Sequence, residues 1–225
     1  MHTCSILRHG VCLTSKKWQV LHVVQTVLWH FPTSHEWVLV LSDQCKALSE
    51  NEIRMLMNSI AIYIGFQVNF RFTVGISDIM SGESEFITAY KSAIDAINLR
   101  LIKGWNEIFF YSDIENDSTV LFTEGQKIGL KKELQKNNTN RVNEIVHGLF
   151  NDKRLMNLKS LDPLYQGIAD ILSTVSIYSA EAGNIWGNIG FSAQERSYDL
   201  YRFYSMVELE NFIIGQLEKC MSVPF

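Results

Sequence analysis

Two groups of residues have the types and spacing that chemistry uses. His22, His30 and His35 stand near Glu36, a set of imidazoles and a carboxylate that could bind a divalent metal. Asp113, Glu115 and Asp117 alternate along a polar stretch and resemble the paired carboxylates of general acid–base catalysis. Neither group is convincing. On a helix predicted over 15–30, His22 and His30 share a face but lie two turns, about 12 Å, apart, which is too far for one zinc ion. A run of alternating acids in a linker is ordinarily a solvated loop. The chain contains no Gly-x-Ser-x-Gly elbow, Walker loop or dinucleotide fingerprint. The expectation is therefore a protein without catalytic residues, bound metal or cofactor.

The elements that would position any site divide the chain in two. In the first half, Cys4–Arg8 reads as a short strand and Ser15–His30 as a helix closed by Pro32. Trp37–Leu41 is a continuous apolar run suited to a buried strand. Ser49 and Glu52 have capping-box spacing and open a helix through Met55, Leu56, Ile60 and Tyr63, ended by Gly65. Val68–Val74 alternates as a half-buried strand does. A loop at Ser81-Gly82-Glu83 then leads to a helix from Ser84 to about Lys103. Its core face is predicted at Ile87, Tyr90, Ala93, Ile94, Ile97 and Leu101, with Gly104 as the stop. Glu107–Tyr111 is the last strand. After the polar link Glu115–Ser118, strand signals nearly vanish. Helices are predicted over Glu124–Gln135, Asn140–Phe150, Asp162–Ser179 and Ala193–Cys220. The reading is an α+β domain over 1–114, its sheet sandwiched by helices, followed by an all-α domain over 115–225.

Composition excludes several classes. The 225 residues are 47% hydrophobic and 20% charged with a formal net charge of −4, as in an ordinary globular protein. Lys131-Lys132 and Lys153-Arg154 are pairs rather than patches, so this segment is not expected to bind DNA by itself. Ile53–Phe66 is the most apolar run and is interrupted by Arg54, Asn58 and Ser59, so no membrane span is expected. No secretory signal is read at the N-terminus. Cys4, Cys12, Cys45 and Cys220 are far apart with no CxxC, which points to reduced thiols and a cytoplasmic location. Asn137-Asn138-Thr139 fits a glycosylation triplet, but nothing else suggests secretion.

Thr73-Val74-Gly75-Ile76-Ser77, the helix carrying Ala89-Tyr90 and Ala93, and the turn Gly104-Trp105-Asn106 resemble the C-terminal part of a GGDEF domain. By that resemblance His35, Glu36 and Trp37 stand where the last three signature residues stand, and Thr33 and Ser34 replace the two glycines. A Cβ at those positions hinders the backbone's approach to a nucleotide. Only Glu36 remains of the acidic pair that helps hold magnesium, and Cys4–Gly10 supplies no second carboxylate. The resemblance thus implies a degenerate domain without cyclase activity. Such a domain followed by helices also resembles the middle of AraC-type, YesN-like transcriptional regulators; PucR-like regulators are the nearest alternative. In the AraC-type case, a C-terminal helix-turn-helix pair absent from these 225 residues binds the DNA. The implied role is a dimeric, non-catalytic relay, with a small-molecule effector-sensing domain, using the decayed nucleotide cleft or a helical pocket, as the alternative.

The helical half is rich in aromatics. Core packing accounts for most of them. Trp186, Tyr198, Tyr201, Arg202 and Tyr204 are the candidates for an effector pocket or a dimer surface, because tyrosine and arginine are favoured at interfaces.

Overall fold

The protein is described by a computed structural model covering residues 2–8, 24–31, 36–43, 49–68, 73–80, 83–181 and 200–221. The chain forms two compact units, Met1–Ile114 and Glu115–Phe225. The first is α+β. The second is helical, with no strand among its described residues.

The first unit is built on a five-stranded sheet. Its strands are β1 (His2–Arg8), β2 (Val24–Phe31), β3 (Glu36–Asp43), β4 (Thr73–Met80) and β5 (Ile108–Phe110). Their order across the sheet is β2-β3-β1-β4-β5. β1 is antiparallel to both β3 and β4, β2 and β3 are antiparallel neighbours, and β4 and β5 run parallel. The helices are α1 (Glu50–Val68), α2 (Phe86–Asn98) and the short α3 (Arg100–Lys103).

Four expectations change here. Val24–Phe31, assigned to a helix, is a strand, while residues 15–23 of that prediction lie outside the described residues. The segment Val24-Gln25-Thr26-Val27-Leu28-Trp29-His30-Phe31 is rich in β-branched and aromatic residues, and pairing with β3 outweighs its weak helical spacing. α1 runs past Gly65 to Val68, so that glycine is an interior helical residue, at a cost of about 1 kcal/mol. The next strand accordingly starts at Thr73 rather than Val68, with 69–72 outside the described residues, and reaches Met80. Thr73–Ser77 are all buried, so this strand is covered on both faces and alternation was the wrong signal for it. Finally, Ile87 is 67% exposed. At 3.6 residues per turn it points about 120° away from Ala93, off the stripe formed by Ala89, Ala93 and Ile97. Those three, with Ile94 and Ala96, are the buried face of α2.

Other expectations need only adjustment. Ser49 and Glu52 make the capping box that opens α1: Glu52 N–H donates to Ser49 Oγ at 3.3 Å, and Ser49 N–H donates to Glu52 Oε2 at 2.7 Å. The predicted helix 84–103 begins with a 3-10 turn at Glu83–Glu85 and breaks at Leu99. Gly104 stops it with φ +98°.

The second unit contains α4 (Glu124–Gln135), α5 (Thr139–Phe150), α6 (Asp162–Glu181) and α7 (Met206–Met221). Thr123 and Gln126 form a second capping box at the start of α4. The core is a set of stripes at helical spacing: Leu130 and Leu134, Val142 and Val146, Leu164, Ile168 and Ile171, then Leu209, Ile213 and Leu217, all fully buried. The single long helix expected from Ala193 is interrupted. Residues 193–199 lie outside the described residues, and the chain leaves helical form at Arg202–Ser205 before α7 begins. Glu208 N–H donates to Ser205 Oγ at 3.1 Å, and Tyr204 N–H donates to Glu208 Oε2 at 2.6 Å. Ser205-x-x-Glu208 is therefore a helix start within what reads as one continuous apolar period.

Candidate functional site

The candidate hairpin is carried by β2 and β3. Phe31 pairs with Glu36 and His30 with Trp37, so the two strands face each other on either side of residues 32–35. On their other side, Glu36 and Trp37 pair with Arg8 and Leu7 of β1. Both candidate residues thus belong to the first rungs of a three-stranded ladder. His35, with Thr33 and Ser34, lies outside the described residues, as does His22. His30 sits in a strand, so the two-turn spacing to His22 no longer applies.

The residues that carry the family resemblance do structural work. Gly75 sits in β4 where a Cβ would come within 2.1 Å of the Ala93 carbonyl oxygen and 2.8 Å of the Ile97 nitrogen. The backbone of the strand therefore lies directly against α2. Ala93 is fully buried and Ala89 nearly so, small residues at the points of closest approach. At the other end of the motif, Gly104 (φ +98°) and Asn106 (φ +73°) both adopt left-sided backbone angles that glycine and asparagine tolerate. Asn106 N–H donates to the buried Thr73 Oγ1 at 3.1 Å, and Val74 N–H donates to the Glu107 carbonyl at 3.1 Å. The Gly-x-Asn turn is thereby fastened to the start of β4, which sets β5 parallel beside it.

Arg100 was not foreseen as a core residue. It is 1% exposed, and its Nη1 donates to the Ile97 carbonyl and to Asn98 Oδ1, each at 3.0 Å. The guanidinium carbon lies 5.2 Å from the Trp105 ring centroid. The signal was present: Arg100 is seven residues beyond Ala93, two helical turns, and so continues the core stripe. Its role is to satisfy the carbonyl and amide at the break between α2 and α3.

The acidic run separates into fastenings. Asp113 lies 3.5 Å from Arg54 of α1, whose guanidinium also meets Glu50 at 2.8 Å and stacks 4.0 Å from the Phe110 ring centroid. In the helical unit, Glu115 pairs with Lys159 Nζ at 2.6 Å. Asp117 accepts from Thr119 N–H at 2.9 Å and from Lys159 N–H at 3.2 Å. The Thr119 side chain, then its N–H, hold the Asp117 carboxyl below the usual carboxylate range. These acids pin a loop to a segment more than forty residues away.

Among the described candidates, Tyr201 does not share the exposed face of Arg202 and Tyr204. Trp186 and Tyr198 lie outside the described residues. Tyr201 is 8% exposed, so it belongs to the core with Leu200 and Phe203. A surface stripe through Tyr201 requires one unbroken helix, which the separate start of the last helix at Met206 removes. Arg202 and Tyr204 are exposed. Arg202 lies over the Phe203 and Phe212 rings at 4.9 and 4.7 Å, and those rings are 5.2 Å apart.

Comparison of the chain with protein-family models, with curated proteins and with solved structures yields no match. Among the described residues, no helix is long and apolar enough to cross a membrane.

Proposed function

We propose that these residues form the regulatory core of an AraC-type, YesN-like transcriptional regulator, a non-catalytic signal-relay and dimerisation module acting in the cytoplasm. In this reading the first unit is a degenerate GGDEF-like domain. The helical unit links it to a C-terminal helix-turn-helix pair. The observation that carries the reading is the antiparallel pairing of β2 and β3 across residues 32–35. In this reading the link between those strands corresponds to the signature, with Thr33 and Ser34 for its glycines and Glu36 its one acid. The close approach of Gly75 to Ala93 supports the same reading, since both belong to the resembling motif.

The mechanism is conformational. A signal that favours one packing of the helical unit over another repositions the DNA-binding pair, by as much free energy as it discriminates between the two states. A second reading, an effector-sensing domain, draws on Arg202 held over two rings beside exposed Tyr204, a cationic and aromatic surface suited to a small polar ligand.

The test is to read the source gene past the Phe225 codon. About 100 further codons encoding two helix-turn-helix units are expected. A stop codon at that point would sink the regulator reading. A thermal-shift screen with sugars and nucleotides separates relay from sensor, since only a sensor's melting temperature rises with its ligand.

A further inference from the structure

We draw no further inference here: the strongest candidate, the side-chain cluster where His147 of α5 meets Glu210 of α7 and Asn143 meets Glu218 at 3.2 Å, fastens two helices of one unit to each other, with no trio of His, Cys, Asp or Glu side chains placed to hold a metal ion among the described residues and nothing that points to another ligand.

Discussion

At the scale of single residues, the positions that carry a family resemblance are here the positions that hold the fold. Gly75 is glycine because a side chain there collides with backbone rather than with a flexible group. Backbone cannot yield without moving α2, so Gly75→Ala should destabilise the first unit by about 3 kcal/mol. Gly104 differs: a Cβ there meets nothing within 4 Å, and only its φ of +98° is unfavourable for other residues. Gly104→Ala should cost less, about 1–2 kcal/mol of backbone strain. Urea titration followed by fluorescence of the tryptophans in the first unit ranks the two. Equal losses would mean that β4 and α2 can part without cost. Arg100 shows the opposite relation between residue type and place, a cation in the core because the helix break beside it leaves polar groups to satisfy.

At the scale of elements, helix starts were legible and helix continuations were not. Ser49-x-x-Glu52 and Thr123-x-x-Gln126 are local hydrogen-bonding devices, complete within four residues, and both open helices. Ser205-x-x-Glu208 has the same form but is masked in the sequence by apolar spacing that continues on both sides of it. Its strength can be measured. Ser205→Ala removes the acceptor for Glu208 N–H and should lower the stability of the helical unit by about 1 kcal/mol. Ser205→Asp, which retains an acceptor at the cap, should restore most of it. A loss of no more than a few tenths of a kcal/mol in thermal unfolding would show that packing of Leu209, Ile213 and Leu217 alone sets the start of α7. β2 failed for the converse reason: whether Val24–Phe31 is helix or strand depends on β3, which no local pattern reports.

At the scale of the whole molecule, the helical unit should be sensitive to acid. In the helical unit, the carboxyls of Asp117, Glu133 and Asp152 are held below their ordinary range. Asp152 is held chiefly by the Arg154 side chain, whose guanidinium meets it at 2.7 Å and also donates to the Val120 carbonyl. Glu133 is held chiefly by Lys136 and also accepts from Asn138. A carboxyl whose folded pKa lies below its unfolded one binds its proton more readily when unfolded. Its stabilisation is complete above the unfolded value, about 4, and is lost as pH falls through the lower folded value. The helical unit should therefore lose stability below about pH 4, and Asp152→Asn should flatten part of that dependence. Denaturation monitored by helical circular dichroism at stepped pH tests it. A profile unchanged by the substitution would assign the acid sensitivity to other groups.

The sequence by itself determined the division into an α+β part and a helical part, the ends of α4 and the capped start of α1. These rest on interactions between residues a few positions apart, or on composition over long windows. It also pointed to Gly75, Ala93, Gly104 and Asn106, whose types are unusual enough to be noticed before their contacts are known. Tertiary structure decided the rest. It turned Val24–Phe31 into a strand, moved β4 to Thr73–Met80, broke the last helix, buried Tyr201 and Arg100, and left Ile87 outside. For the two strands the deciding partner is remote in sequence or the deciding quantity is burial on both faces, whereas the helix break and Arg100 use partners a few residues away that periodicity does not report. A periodic pattern states that an element has a face. Only the packed neighbours determine which way that face turns.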